Sequence, residues 1–351
     1  MIESISTGSA LQDFLSPLHS PPKPKSLPFC QKHEVPKYLF RVHSPTTAGE
    51  TSLNTVMPPA CHHGTQHTGK DLFAMKAKDA ASLINRHLRW DPAHEDQCNL
   101  ISWTSSLLFA LQYGLYKNLG SRKRSQLTEI NILVLDTSEF PTGTFMNDLD
   151  LIDYFADHDT SSGKDLKSLG RLRRGSWGYY FGEYISQGRL DIKGQCKQAT
   201  MQDLIDLGLF TFLPELGQRD KWVLWANRVL ELRKVDESPV STQSVVRRAV
   251  VIATAGFGDD FAIPIAIMLL ALKNTRPDDP TILRGFATMF TAEELGAVTP
   301  RQMKINPYHM PEVSRFGDLM REIFHYCTSE LAMLNMESHF SQLEVTPPRG
   351  S

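Results

Sequence analysis

Regular alternation of apolar and polar positions begins at Tyr38 to Val42 (YLFRV), which predicts a strand with Leu39 and Arg41 on one face and Tyr38, Phe40 and Val42 on the other. An arginine on the first face predicts that it is half buried at most. From Asp71 to Arg89 the apolar residues Leu72, Met75, Ala80, Leu83, Ile84 and Leu88 approximate a 3.6-residue stripe, so an amphipathic helix is expected there. Asn99 to Thr104 (NLISWT) reads as a short strand, and Ser105 or Ser106 is placed to N-cap the nearly all-apolar helix LLFALQYGLY that follows. Ile130 to Asp136 (INILVLD) predicts a strand buried on both faces, closed by the turn chemistry of EFPTG. Tyr179 to Ile185 (YYFGEYI) predicts a further strand, which sets Glu183 on one face with Tyr179, Phe181 and Ile185.

After Thr200 the pattern turns helical, over Met201 to Leu209, Lys221 to Arg233, Gln243 to Ala255, Phe261 to Lys273 and Glu312 to about Leu334. Thr291 and Glu294 have the spacing of a capping box. The aromatic residues of this half, Trp222, Trp225, Phe257 and Phe316 among them, sit at core-stripe spacings. Their alternative use is a protein-interaction platform, or a cover for the open side of the N-terminal sheet. Phe261 to Leu272 is apolar throughout but about half the length that spans a bilayer, so it predicts a buried helix and no membrane anchor. The expected organisation is a flexible arm (1–35), an α+β domain with a split, mainly antiparallel sheet around a cleft (36–198), an all-helical region (199–340) and a flexible tail (341–351).

Composition narrows the function classes. Among 351 residues, 41% are hydrophobic and 22% charged, which is ordinary for a globular chain. A net charge of -2 supplies no basic field for a polyanion, so nucleic acid is not expected as a partner. Five scattered cysteines without CxxC spacing, and no basic segment followed by a long apolar run at the start, predict free thiols and an intracellular, cytoplasmic or nuclear location. Cys61, His62, His63 and His67 are competent metal ligands, but their spacing fits no standard site and none is assigned. The basic runs 122–124 and 171–174 read as solvent-facing and receive no role.

Three predicted strands each carry a polar group among apolar neighbours: Arg41, the Ser102/Thr104/Ser105 cluster, and Glu183. YLFRVHSP, NLISWTSSLLFALQYG and YYFGEYISQGRLDI resemble a family of uncharacterised fungal proteins and, beneath that, the Arg-Ser-Glu class of ADP-ribosyltransferases. The resemblance implies that fold, with NAD as substrate. It implies that Arg41 contacts the phosphates of NAD, that Ser102, with Thr104 beside it, supports the nicotinamide ribose, and that Glu183 stabilises the cationic state as nicotinamide leaves. Such a carboxylate favours the transition state over the ground state because positive charge develops at the anomeric carbon. Tyr179, Phe181 and Trp103 are then candidates to stack on or narrow the pocket. Phe181 stands where arginine-modifying members of the class carry Glu or Gln, and Trp103 replaces a Thr, so the ADP-ribose acceptor does not carry over.

Each residue also has a structural reading: Arg41 as an edge-strand arginine in an ion pair, a serine as helix cap, Glu183 as a buried structural acid. Besides an NAD-consuming enzyme, two alternatives stand. One is a domain of the same shape that binds a nucleotide or partner without chemistry; the other is a scaffold protein acting through its helical half.

Overall fold

The structure, a computed structural model, describes residues 32–62, 71–91, 95–175, 178–234, 241–296, 298–300 and 303–344. Most of the expected N-terminal arm, the last part of the expected tail, and His63 and His67 lie outside the described residues.

Along the chain the strands are β1 (Tyr38–His43), β2 (Glu50–Thr51), β3 (Thr55–Met57), β4 (Leu100–Thr104), β5 (Asn131–Asp136), β6 (Met146–Asn147), β7 (Glu183–Gln187), β8 (Leu190–Asp191) and β9 (Cys196–Thr200). They form a six-stranded sheet in the order β6-β7-β4-β1-β5-β9 and a three-stranded sheet in the order β2-β3-β8, with antiparallel pairing in both. The fold is therefore α+β with an antiparallel sheet and a helical C-terminal region. Strand β5, between β1 and the edge strand β9, is buried on both faces, as its β-branched and apolar run requires. The two-residue strands are too short to announce themselves in the sequence, and β9 (CKQAT) has only Cys196 and Ala199 as apolar positions.

The helices that matter to the site are α1 (Ala77–Leu88), α2 (Leu107–Leu119), α3 (Asp148–Phe155), α4 (Leu166–Arg174), α5 (Met201–Asp206), α6 (Trp225–Arg233), α7 (Gln243–Phe257), α8 (Asp259–Leu272), α9 (Pro280–Met289) and α10 (Pro311–Glu344). Tyr38, Phe40 and Val42 of β1 and Ile132 and Val134 of β5 point to one face of the large sheet and pack with α2, α7 and α8 in a single core. The C-terminal helices thus cover the sheet, and nearly every residue of α8 is buried in doing so. On the opposite face Leu39, Ile101, Trp103, Leu133 and Tyr184 pack against Val56 and Leu190 of the small sheet. A third cluster seats α1, α3 and α4 on Leu100, Met146 and Ile185.

Three expectations are corrected. The single helix expected over Asp71 to Arg89 divides into a 3-10 turn, Leu72–Ala74, and α1, with Met75 and Lys76 extended between them. The turn is held to β7, because Gln187 accepts from the Leu72 amide at 2.9 Å and donates to Asp71 at 2.9 Å. The strand expected from Tyr179 starts only at Glu183, since Gly178 (φ 68°) and Gly182 (φ 65°) take left-handed backbone that breaks the pleat. Arg41 was expected on a half-buried face but is 8% exposed.

Candidate functional site

β4 and β7 are in register at Ser102↔Ile185 and Thr104↔Glu183, so Ser102 and Glu183 project from the same face as diagonal neighbours. The Ser102 hydroxyl donates to Glu183 Oε1 at 2.7 Å. On its other side it lies 2.8 Å from His87 Nε2, contributed by the last turn of α1. His87 Nδ1 is in turn 3.1 Å from the sulfur of Cys98, which immediately precedes the strand region. A hydroxyl has one proton, and here it points at Glu183; His87 Nε2 must therefore carry a proton and donate to Ser102 Oγ.

Glu183 is not free at its second oxygen. Arg173, near the end of α4, donates to Oε2 at 2.8 Å and pairs through its other terminal nitrogen with the wholly buried Asp148 at the start of α3. The result is a continuous polar line, Cys98, His87, Ser102, Glu183, Arg173, Asp148, drawn from five separate stretches of chain. Burial opposes charge on His87, but the Cys98 sulfur and then Glu183 outweigh it and raise its pKa; Arg41 acts in the opposite sense. Burial likewise opposes a Cys98 thiolate, yet the charge and hydrogen bond of His87 leave its pKa below the usual thiol value.

Arg41 reaches this line from the side. Its register partner is Leu133, which sets its stem on the face with Trp103 and away from the Ser102 hydroxyl. Among the described residues β1 meets β4 in register at Phe40↔Thr104, and beyond that pair the guanidinium bridges the two strands. Nη1 donates to the Ser102 carbonyl at 3.0 Å and Nε to Thr51 Oγ1 at 3.0 Å. Burial lowers the Arg41 pKa to about 10, which leaves it cationic at neutral pH. Of the sequence-derived trio, Ser102 and Glu183 meet through their side chains, whereas Arg41 comes from the other face of the sheet and reaches the backbone carbonyl of Ser102.

The other sequence-derived candidates divide. Thr104 is a clamp: its hydroxyl donates to the Phe181 carbonyl at 2.5 Å and accepts from the Ser106 amide at 3.0 Å. Trp103, 2% exposed, donates to Ser186 at 2.9 Å and packs in the core on the face opposite Ser102, so it neither lines nor narrows a site there. Tyr179 donates to Asn227 of α6 at 2.8 Å. Phe181 stacks on Phe109 (4.9 Å between ring centres) and lies against Trp225 (5.8 Å). Glu183 therefore does not share a strand face with Tyr179 and Phe181. Phe181 instead belongs to a half-buried aromatic group with Phe109, Tyr113 and Trp225. Trp90, 44% exposed and in left-handed backbone (φ 53°), stacks on Trp225 at 4.7 Å.

His87, Cys98, Arg173 and Asp148 were not singled out from the sequence. Arg173 was discoverable, since Leu166, Leu169, Gly170 and Arg173 form the buried stripe of α4 at helical spacing and a charge on such a stripe needs a partner. His87 follows Ile84, a core residue of α1, by three positions. Among the described residues no cluster of three or more His, Cys, Asp or Glu could hold a metal ion, and His63 and His67 of the loop considered for metal lie outside them. No described helix is long and apolar enough to cross a membrane.

Neither the curated proteins nor the solved structures contain a significant match to the chain. Residues 34–190 match the family model described as Domain of unknown function (DUF7587), a stretch that carries Arg41, His87, Cys98, Ser102, Asp148, Arg173 and Glu183 together.

Proposed function

We propose that the domain over residues 34–190 binds NAD and cleaves its nicotinamide–ribose bond, passing ADP-ribose to an acceptor or to water. The observation that carries this reading is the 2.7 Å hydrogen bond from Ser102 to Glu183, with the Arg41 guanidinium on the Ser102 carbonyl. A fixed hydroxyl orients one carboxylate oxygen, and the carboxylate charge favours the oxocarbenium-like state formed as the glycosidic electron pair departs with nicotinamide. Arg41 supplies a cation suited to a pyrophosphate once it exchanges its present partners for phosphate oxygens. Trp90 and Phe181, three residues after His87 and two before Glu183 along the chain, both pack on Trp225 and offer flat apolar surface suited to a nicotinamide or adenine ring. In this reading Arg173 must loosen its hold on Glu183 Oε2 for the acid to act.

That same contact favours a second reading. An acid neutralised by Arg173, itself backed by Asp148, is suited to hold a site closed, as in a domain that binds a nucleotide without transforming it. Incubating the full chain with NAD and measuring nicotinamide release separates the two. The enzyme reading expects release that Glu183→Gln abolishes; NAD binding seen by calorimetry with release no greater than that of the variant leaves the binding reading in its place.

A further inference from the structure

We propose that the Cys98–His87 pair is a modification site, at which the Cys98 sulfur attacks a two-electron oxidant of the peroxide class. The proposal stands on the geometry of the pair and does not depend on NAD chemistry. His87 Nε2 is committed as a donor to Ser102, whose own proton is committed to Glu183, so one further proton is shared between His87 Nδ1 and Cys98 Sγ across 3.1 Å. If it rests on nitrogen, sulfur is a thiolate beside an imidazolium, the arrangement that makes a cysteine nucleophilic.

The surroundings decide where that proton rests. Burial opposes both charges; a hydrogen bond from the Leu100 backbone and the charge of Arg86 on α1 act with His87 to favour the thiolate, whereas the Leu100 carbonyl, 3.9 Å from the sulfur, accepts only from the thiol and opposes it. Glu183 favours the imidazolium and Arg41 opposes it. The balance raises His87 and lowers Cys98. Cys61, equally half-buried, is pushed up by burial, and Cys196 is pushed up to about 11 for the same reason. Cys98 therefore differs in kind from these other thiols.

In the step itself the thiolate sulfur bonds to one peroxide oxygen and the O–O bond breaks. The departing hydroxide takes the proton from His87 Nδ1 and leaves as water. Sulfur is oxidised by two electrons to a sulfenic acid, the peroxide is reduced, and His87 is left neutral. Nε2 of the same ring keeps its proton and its bond to Ser102, so the oxidised sulfur stands one imidazole away from the Ser102–Glu183 contact.

The test treats the full chain, without NAD, with a small excess of hydrogen peroxide in the presence of dimedone, and maps the adduct by peptide mass spectrometry. The expected result is an adduct on Cys98 at least about tenfold above that on Cys61 at pH 7, reduced about tenfold by His87→Gln with Cys61 unchanged. Equal labelling of the two cysteines, or labelling of Cys98 that survives His87→Gln, overturns the proposal. A second readout needs no variant: as pH falls from 8 to about 6.5, iodoacetamide alkylation of wild-type Cys98 should decline less steeply than that of Cys61, which falls about tenfold per pH unit. Parallel decline at both cysteines also overturns it.

Discussion

Arg233 and Glu312, 6% and 2% exposed at their side chains, close on each other through three hydrogen bonds of 2.8 to 3.2 Å and join two distant helices of the C-terminal region. Arg233 also donates to the carbonyls of Gly178 and Tyr180, and Glu312 accepts from Ser106 at 2.7 Å. Ser106 is the N-cap of α2, so one buried ion pair fastens the helical region both to the segment that leads into Glu183 and to the helix that follows Ser102. The helices are in this way part of the site's support. Glu312→Gln or Arg233→Met leaves a buried charge without its partner, at a cost of about 3–5 kcal/mol. Chemical denaturation should show each single variant losing that much, and the Arg233→Met/Glu312→Leu double variant losing less than the two single losses added.

Gly182 sets the entry to β7. Its φ of 65° is left-handed, and a Cβ there would lie 2.1 Å from Ser105 Oγ. Its carbonyl accepts from the Ser105 amide at 2.9 Å, and the Phe181 carbonyl accepts from Thr104, so the segment cannot easily turn aside. Gly182→Ala should therefore cost about 1–3 kcal/mol in backbone strain, with the steric contact adding to it. A denaturant midpoint within error of wild type would show that the segment relaxes without loss.

Acid should weaken the fold through His43. Burial lowers its pKa to about 4, against a hydrogen bond with Gln198 that raises it, with Arg41 and Lys117 adding to the lowering. The folded chain holds His43 neutral where the unfolded chain, near 6.5, protonates it. The stabilisation is complete above pH 6.5 and is lost as pH falls from there toward 4, by about 2 kcal/mol at pH 5. The measurement is the difference in unfolding free energy between pH 7 and pH 5, in wild type and in His43→Gln. The variant should lose less than wild type by about that amount.

Legibility of the site followed the reach of local rules. Strand patterning found β1 and β4, a continuous apolar run found β5, capping chemistry narrowed the cap of α2 to Ser105 or Ser106, of which Ser106 is the cap, and the Thr291–Glu294 capping box is present, with Thr291 and Glu294 bonded to each other in both directions. The pairing of Ser102 with Glu183 came from matching separated motifs, because register between strands more than eighty residues apart leaves no local trace. Arg173 was passed over because it sits in a run of arginines that reads as solvated; its neighbour Arg171 is exposed, and only helical phase separates the two. The Tyr179–Gly182 segment misled because its aromatic alternation imitates a strand, while Gly178 and Gly182 carry the contrary signal. His87 and Cys98 meet through the packing of α1 on β4, which no spacing along the chain encodes.

The proposed role of Glu183, oriented by Ser102, is to act on NAD. It is tested most directly by the rate of nicotinamide release from NAD by the full wild-type chain against Glu183→Gln, with circular dichroism confirming that both are folded. Wild type should release nicotinamide at a rate that falls by about 100-fold or more in the variant, the loss expected when the main electrostatic partner of the transition state is removed. Equal rates in the two proteins, or no release by wild type above a protein-free blank, would contradict it.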